Sequence, residues 1–293
     1  MTTSKPKSVF ITGASAGIGY ALSIEFAKRG YKVFAGARNV KKLENLKQYG
    51  ITIYEFDITK TESIFKVKDF ISKETGGELD ILYNNVGISP NKSSILDQDI
   101  KELRQTFDAN YFGHIEVIQA FQQLFLKSRG LIAFTDSVID LVPTPFLGGY
   151  AASKAAFHQL GANLALEVNS LGVKVVQVRT GNVSSELGTT DPCKTSKDSV
   201  YYLNDDVDIL KADFGTGQDS KIYAKNVIND IEKVFNSQNT YHKIIYRGES
   251  ASTAYWMNWL VPFWAWSYFI IKFLKIDGLF AKVKQKIEKQ KTP

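Results

Sequence analysis

The amino-acid sequence predicts an α/β fold, a doubly wound parallel sheet with helices on both faces. Two observations carry this prediction. Short apolar segments alternate with longer segments of helical spacing from residue 8 to residue 178, which is typical of strands joined by crossover helices. A glycine-rich stretch also stands between the first apolar segment and the first helical one. With 293 residues the chain can bury a large core, and we expect one catalytic domain over 1–249 and an appended segment over 250–293.

The predicted elements follow one another in a regular order. A buried strand is expected over 8–12 and a helix over 18–29, where Ile18, Leu22 and Phe26 have helical apolar spacing. A second strand over 32–36 completes a β-α-β unit. Further strands are expected over 52–55, 79–83, 130–135 and 173–178, and further helices over 61–73, 99–126 and 149–168.

The turn of the first unit has the composition of an anion site. It reads Thr12-Gly13-Ala14-Ser15-Ala16-Gly17-Ile18-Gly19. Glycines let backbone N–H groups approach a pyrophosphate, and the positive end of the following helix dipole favours its charge. The stretch therefore predicts a Rossmann-type dinucleotide site.

The end of the second strand indicates which dinucleotide is bound. An acidic residue there would hold a free ribose 2′-hydroxyl, but no acid occurs between Arg29 and Glu44, and Arg38 takes that place. A guanidinium suits a 2′-phosphate, so NADPH is favoured over NADH. The alternative is a solvated arginine in a loop.

A second group of residues has the composition of an acid–base site. Tyr150 and Lys154 are four residues apart, so on a helix they share one face. An ammonium group close to a phenol is expected to lower the phenol pKa, which prepares it for proton transfer to a carbonyl oxygen. Ser137, thirteen residues earlier, would supply a second hydrogen bond to that oxygen. A Tyr-x-x-x-Lys pair on its own is more often an exposed helix face than a site.

With these motifs the chain resembles the classical short-chain dehydrogenase/reductase family over residues 7 to about 183. Thr12-Gly13-x-x-x-Gly17-x-Gly19 matches the cofactor turn of the family. Asp57-Ile58 and Asn84-Asn85-Val86-Gly87 match its adenine-side pair and its strand-end motif, with valine in place of alanine. Asn110, Ser137, Tyr150 and Lys154 stand where the family has its catalytic tetrad.

The resemblance implies roles for individual residues. The tetrad would be catalytic, and Asn110 would anchor a water that connects Lys154 to solvent. The residues expected to hold NADPH or NADP+ are Thr12, Gly13, Ser15, Gly17, Ile18, Gly19, Arg38, Asp57, Asn84, Asn85, Gly87, Tyr150, Lys154, Gly181 and Val183. Thr180-Gly181-Asn182-Val183 departs from the usual Pro-Gly turn on the nicotinamide side. Asp136 and Asp140 flank Ser137 where small residues are commoner, so the local loop geometry is expected to differ.

Shorter matches within the family point to a lipid ketone as the substrate. They are Leu82-Tyr83-Asn84-Asn85, Phe112-Gly113-His114-Ile115, Tyr246-Arg247-Gly248 and Val261-Pro262-Phe263-Trp264. These resemble fungal reductases of an acylated dihydroxyacetone phosphate, which implies 1-acyldihydroxyacetone phosphate as substrate and lysophosphatidic acid as product. A steroid, a retinoid or 3-ketosphinganine is the alternative.

Composition excludes several other classes of protein. Cys193 is the single cysteine, so an intramolecular disulfide is impossible and a cytosolic location is permitted. The first seven residues have no apolar core, so no signal peptide is expected. No histidine and cysteine cluster has metal-ligand spacing, so no metal is expected. Of the net charge of +6, residues 272–293 carry +5, and a nucleic-acid partner is therefore disfavoured because its binding face would be spread over the fold.

The segment before the basic tail predicts a membrane-associating element. No charged residue occurs between Ser250 and Ile271, and all four tryptophans lie within it, around Pro262. Tryptophan favours the headgroup level of a membrane, and lysines favour anionic lipid. We expect a shallow in-plane anchor or a broken hairpin on the cytosolic face of the endoplasmic reticulum or on lipid droplets. A lid over the substrate cleft or a homo-oligomer interface is the alternative.

Two other interpretations remain at the level of sequence. Gly13-Ala14-Ser15-Ala16-Gly17 also fits the Gly-x-Ser-x-Gly pattern of lipid hydrolases, which would need a histidine such as His114, His158 or His242 near Ser15. A non-catalytic cofactor-binding scaffold is the other, although the intact tetrad disfavours it.

The polar stretch over 184–220 is expected to cover the cleft, where Lys194, Lys197, Lys211 and Lys221 could meet a phosphate.

Overall fold

The computed structural model describes residues 5–184, 195–203 and 216–290. Within them, seven strands form one sheet in the order β3-β2-β1-β4-β5-β6-β7, and every neighbouring pair is parallel. The strands are β1 Ser8–Thr12, β2 Lys32–Ala37, β3 Thr52–Glu55, β4 Ile81–Asn84, β5 Leu131–Ser137, β6 Lys174–Thr180 and β7 His242–Arg247. The predicted α/β class with a parallel sheet is confirmed, and β7 is a strand that the sequence did not predict.

Helices cover both faces of the sheet. They are α1 Gly17–Lys28, α2 Thr61–Thr75, α3 Ile100–Phe107, α4 Gly113–Ser128, α5 Gly148–Asn169, α6 Ser220–Asn236, α7 Ala251–Leu260, α8 Phe263–Phe273 and α9 Asp277–Gln290, with a 3₁₀ segment at Val40–Tyr49. Helices α1 and α6 pack on one face and α2, α4 and α5 on the other.

In β1, β2, β4, β5 and β6, alternate residues enter opposite cores, as strand geometry requires. In β1, Val9 and Ile11 lie in the core below α1 and α6, whereas Phe10 lies in the other core, stacked on Phe121 of α4 at a ring-centroid distance of 5.2 Å. Both cores are fully buried at these positions. A strand with two buried faces is continuously apolar, which explains why the first strands were visible in the sequence.

The predicted helix over 99–126 is divided in the structure. Helix α3 ends at Phe107, a π-helical turn spans Asp108–Phe112, and α4 begins at Gly113, whose N–H donates to the carbonyl of Asp108. A Cβ at Gly113 would lie 2.5 Å from the carbonyl oxygen of Ile58, so glycine allows the helix to approach the end of β3. Single π turns of this kind are frequent at functional sites, and this one contains Asn110.

The C-terminal segment contacts the rest of the protein through a third apolar cluster. Its buried residues come from α8, from the turn between α8 and α9, from α9 and from Phe146, which lies between β5 and α5. Tyr201 and Leu203 pack against them. Among the described residues, none of the helices combines the length and the apolar composition needed to cross a membrane. The boundary at residue 250 between two domains stays a prediction.

Candidate active site

The predicted site residues lie at the carboxyl edge of the sheet. The strand order changes direction at β1, because β2 and β3 lie on one side of it and β4 to β7 on the other. Ligands of open α/β sheets bind outside the strand ends at such a switch point. Both the glycine-rich turn, after β1, and Ser137, the last residue of β5, are at this edge.

The glycine-rich turn is shaped for close approach. Gly13 and Gly17 have φ angles of 71° and 54°, in the left-handed region that favours glycine. A Cβ at Gly19 would lie 2.4 Å from the carbonyl oxygen of Gly13. Helix α1 begins at Gly17 without a side-chain cap and without an acidic residue in its first turn. Its N-terminal N–H groups and dipole therefore suit a pyrophosphate.

Asn85 and Thr12 hold this turn against the neighbouring strands. The Asn85 amide donates to the carbonyl oxygens of Thr12 (3.0 Å) and Gly13 (3.1 Å) and accepts from the Thr135 hydroxyl. The Thr12 hydroxyl accepts from the N–H of Asn85. Both were predicted to bind cofactor, and the structure shows them supporting the backbone that would do so.

Asn84 was also predicted to bind cofactor, and the structure places its side chain in the interior. Asn84 is fully buried, and its Oδ1 lies 3.1 Å from His114 Nδ1. Burial lowers the pKa of His114 to about 3, so this imidazole is neutral. The side chain of Asn84 therefore contributes to the core, and its cofactor-binding role stays a prediction.

Arg38 and Asp57 lie just beyond the ends of the paired strands β2 and β3. Arg38 is exposed, as a residue that meets a ligand phosphate needs to be. Burial alone would raise the pKa of Asp57, but hydrogen bonds from Thr59 lower it, and the charges of Lys60 and Arg38 act in the same direction. Asp57 is thus ionised and bonded to the Thr59 N–H and hydroxyl.

Lys154 is directed at the end of β5. Its Nζ donates to the Thr135 carbonyl oxygen at 3.1 Å, and a Cβ at Gly87 would lie 3.3 Å from that Nζ. Lys154 is 3% exposed, and this burial lowers its pKa to about 8, although the charge of Asp136 acts to raise it. The ammonium form therefore predominates at neutral pH.

Tyr150 is half-buried beside Ser137. Burial raises the pKa of Tyr150 to about 12, while its interaction with the Ser137 side chain lowers it and the charge of Asp136 raises it. The expectation that Lys154 depresses this pKa is wrong for this structure, because the ammonium points at the Thr135 carbonyl. At neutral pH Tyr150 is consequently a protonated phenol.

Asn110 joins the other three members of the tetrad from the π turn. Its amide exchanges two hydrogen bonds of 2.8 Å with the backbone of Ile88 and donates to Ser153 Oγ at 3.0 Å. Ser153 in turn donates to the carbonyl oxygen of Tyr150. The structure thus brings Asn110, Ser137, Tyr150 and Lys154 together, and their catalytic roles stay predictions.

A buried polar network lies behind Ser137, and sequence reasoning missed it. Asp136 Oδ1 accepts from the N–H of Ser137 at 3.0 Å, and Asp136 Oδ2 pairs with His158 Nδ1. Gln177 donates to the His158 carbonyl at 2.7 Å and accepts from His242. The available signal was helical spacing, since His158 follows Lys154 by four residues and shares its face of α5.

A second buried pair closes the same side of the site. Arg179 contacts Asp140 through both Nη atoms, at 3.0 and 2.9 Å. Burial raises the pKa of Asp140, and Arg179 lowers it. The two aspartates that flank Ser137 where smaller residues were expected therefore each have a cationic or hydrogen-bonding partner, and together they fix the backbone around Ser137.

The nicotinamide-side turn is built against the start of the C-terminal segment. A Cβ at Gly181 would lie 2.1 Å from the carbonyl oxygen of Glu249. Asn182 and Glu249 exchange two backbone hydrogen bonds of 2.9 Å, and Val183 forms a bridge with Gln218. The geometry that replaces the usual Pro-Gly turn is thus set by residues that directly precede α7.

The remaining predictions have mixed outcomes. Lys194 and Lys211 lie outside the described residues, and Lys197 and Lys221 are exposed. His114 is hydrogen-bonded to Asn84 and Val86. His158 contacts Asp136 and Gln177, and His242 contacts Gln177. Ser15 therefore has no histidine partner among the described residues.

Comparison with known proteins agrees with this geometry. A family model described as short chain dehydrogenase matches residues 7–194. A Saccharomyces cerevisiae protein named NADPH-dependent 1-acyldihydroxyacetone phosphate reductase is 32% identical over 97% of this chain and 96% of its own length. The short-chain dehydrogenase PC-15 of Penicillium crustosum is 36% identical over 94% and 98% of the two chains.

A solved structure gives the same fold. A short-chain dehydrogenase from Streptomyces avermitilis superposes with a TM-score of 0.72 over the full length of both chains, at 22% identity. At that identity the similarity concerns the arrangement of strands and helices.

Proposed function

The chain belongs to the short-chain dehydrogenase family, and on that premise we propose that it is an NADPH-dependent oxidoreductase that reduces the ketone of a lipid. The observation that carries the proposal is the meeting of Tyr150, Ser137 and Lys154 at the sheet edge that also holds the glycine-rich turn. When bound, NADPH supplies the hydride. The uncapped N-terminus of α1 suits its pyrophosphate, and Arg38 suits its 2′-phosphate.

The side chains of the chain itself handle the proton. Hydride addition to a ketone carbon leaves an oxyanion, and Tyr150 donates its phenolic proton to that oxygen while Ser137 holds it by a hydrogen bond. A Tyr150 pKa of about 12 keeps the phenol protonated at neutral pH, which suits an acid in the direction of reduction. The phenolate that is left then regains a proton from solvent. Lys154, charged below about pH 8, would bind the nicotinamide ribose.

The proposed substrate is 1-acyldihydroxyacetone phosphate, and the product is 1-acylglycerol 3-phosphate (lysophosphatidic acid), an intermediate of phospholipid biosynthesis. Two observations support this choice. The name of the Saccharomyces cerevisiae relative includes this substrate, and the relative matches almost the whole chain. The C-terminal segment carries large exposed aromatic side chains of the kind that contact lipid. We propose the cytosolic face of the endoplasmic reticulum or of lipid droplets as the location. Steroids, retinoids and 3-ketosphinganine are the alternative substrates.

A panel of lipid ketones tests the proposal. Purified protein is incubated with NADPH and each ketone, NADPH oxidation is followed at its absorbance maximum, and the alcohol is identified by mass spectrometry. Tyr150→Phe is the blank, since it keeps the ring and lacks the proton. The highest kcat/KM is expected for 1-acyldihydroxyacetone phosphate. A higher value for a steroid, retinoid or sphingoid ketone would reassign the substrate, and NADH working as well as NADPH would contradict the cofactor preference.

A further inference from the structure

Helices α7 and α8 present a surface of exposed, mostly aromatic side chains to solvent. This aromatic face consists of Tyr255, Trp256, Trp259, Leu260, Phe263, Trp264, Tyr268, Phe269 and Phe273, all of them exposed. Trp259, Phe263 and Trp264 are 71%, 70% and 76% exposed. Soluble domains rarely expose contiguous apolar patches of this kind, and those that occur mark contact with a protein, a ligand or a membrane.

Positive charge borders the aromatic face. Lys272 and Lys275 flank Phe273, and Lys282, Lys284 and Lys289 are exposed on the adjoining helix α9. Some of this charge is locally balanced, since Lys272 pairs with Asp277 and Lys284 with Glu288. Amphipathic tryptophans and tyrosines beside lysines match the headgroup level of an anionic lipid surface. A second copy of the chain fits less well, because a symmetric contact through this face would bring two lysine-rich helices together.

The buried side of the same segment contacts the catalytic region at two places. The third apolar cluster joins Ile270, Leu274 and Leu279 to Phe146, and Trp266 Nε1 is 3.5 Å from the carbonyl oxygen of Leu141. Phe146 and Leu141 belong to the loop between Ser137 and α5. At its other end the segment begins beside Gly181, the nicotinamide-side turn. The segment that carries the aromatic face therefore contacts the chain at two places next to the candidate site, the loop after Ser137 and the Gly181 turn.

We infer that the aromatic face docks into the headgroup region of an anionic phospholipid surface and holds the mouth of the cleft against it. A lipid ketone then enters the cleft from the surface rather than from solution. The docking itself follows from the exposed side chains and their charge, whereas the entry of a lipid ketone rests on the proposed function. The segment acts as a wall of the site as well as an attachment.

Vesicle binding by the full-length protein tests the docking, without cofactor or ketone. Flotation is measured with vesicles of phosphatidylcholine alone and with vesicles that contain phosphatidylserine. The variant Trp259→Glu/Trp264→Glu changes two side chains that are largely in water, and Ile222→Glu, at a 55% exposed position of α6, is the matched control. Point variants are preferable to truncation after Arg247, which would also remove the Glu249 contacts of the nicotinamide-side turn.

The expected result is binding of the wild type and of Ile222→Glu, tighter to the anionic vesicles and weakened by salt. Losing two inserted tryptophans should weaken binding of the double variant by at least about tenfold. Equal binding of the double variant and the control would overturn the inference. So would a wild type that binds neither vesicle but forms a dimer that the double variant dissociates.

Kinetics separate the entry route from the chemistry. For a ketone embedded in anionic vesicles, the apparent KM of the double variant should rise with its loss of vesicle binding, while kcat changes little. For a short-chain ketone in solution the double variant should keep most of its activity. A proportional loss on both ketones would contradict entry from the surface. If the wild type reduces neither ketone, the proposed function fails, while the vesicle result still decides the docking.

Discussion

Replacing Gly19 with alanine perturbs the cofactor turn in a way whose size can be worked from the structure. The added Cβ would lie 2.4 Å from the Gly13 carbonyl oxygen and 2.5 Å from the Asn85 amide nitrogen. Contacts of real Cβ atoms essentially never fall below 3.0 Å, so atoms have to move by about 0.6 Å, the difference between 3.0 and 2.4 Å. Gly13 cannot readily move away from the added Cβ, because its N–H donates to the Gly36 carbonyl and its own carbonyl accepts from the Asn85 amide.

The expected effect follows from the cost of overpacking. Forcing a methyl group into a packed site costs about 1–3 kcal/mol. If the turn has to regain its shape to bind the pyrophosphate, the Kd for NADPH rises by about 5- to 150-fold, since 1.4 kcal/mol corresponds to tenfold. The Kd is measured by titration with NADPH fluorescence, and the melting temperature reports how much of the cost falls on folding.

The matched control is Gly278→Ala. Gly278 lies in α9, and a Cβ there meets nothing within 4 Å. The control should bind NADPH like the wild type and melt at the same or a slightly higher temperature, because alanine favours the helix. A Gly19→Ala protein that binds NADPH within twofold of wild type would refute the reasoning about the turn.

Four further predictions concern the chemistry and the cofactor. Tyr150→Phe should reduce kcat by about 10²- to 10⁴-fold, as is typical for loss of a general acid, with the NADPH Kd nearly unchanged; substantial turnover would exclude Tyr150 as the acid. The Lys154 pKa of about 8 means that the ammonium is lost as pH rises above that value, so kcat/KM for ketone reduction should fall above about pH 8, and this limb should be absent in Lys154→Met. Asp136→Asn removes a negative charge that raises the Lys154 pKa, so the same limb should move to lower pH; a limb in the same place would exclude this electrostatic role. Arg38→Ala should weaken NADPH by about 1.5–3 kcal/mol, the range of charge-assisted hydrogen bonds, and leave NADH nearly unaffected; equal losses for both would remove Arg38 from the 2′-phosphate site.

The cofactor turn and the sheet could be predicted from the sequence because their signals are local. Residues Thr12 to Gly19 carry their meaning in their own spacing between a strand and a helix. Continuous apolar runs such as Val9 to Ile11 indicate strands that are buried on both faces. The Tyr150 and Lys154 pair was visible for the same reason, since a helix brings positions four apart to one face.

The later part of the fold was harder to predict from the sequence. Strand β7 and helix α6 follow a polar stretch without periodicity, and their pairing with β6 and α1 joins residues far apart in the chain. The π turn around Asn110 interrupts a helix whose apolar pattern continues through it. Gly113, which follows the turn, approaches the Ile58 carbonyl too closely for a side chain, and no local pattern contains that contact.

The protonation states of the site were decided by tertiary structure alone. The sequence places an ammonium beside a phenol, but burial of the phenol and the direction of the ammonium determine the pKa of Tyr150. Lys154 points at the Thr135 carbonyl, and Tyr150 keeps its proton. The pairing of Asp136 with His158, 22 residues away, likewise exists only in the folded chain. A pKa depends on the distances to charges and on the loss of water around a group, and these are properties of packing. Sequence spacing therefore determined which side chains are available, and the tertiary structure determined what each of them does with its proton.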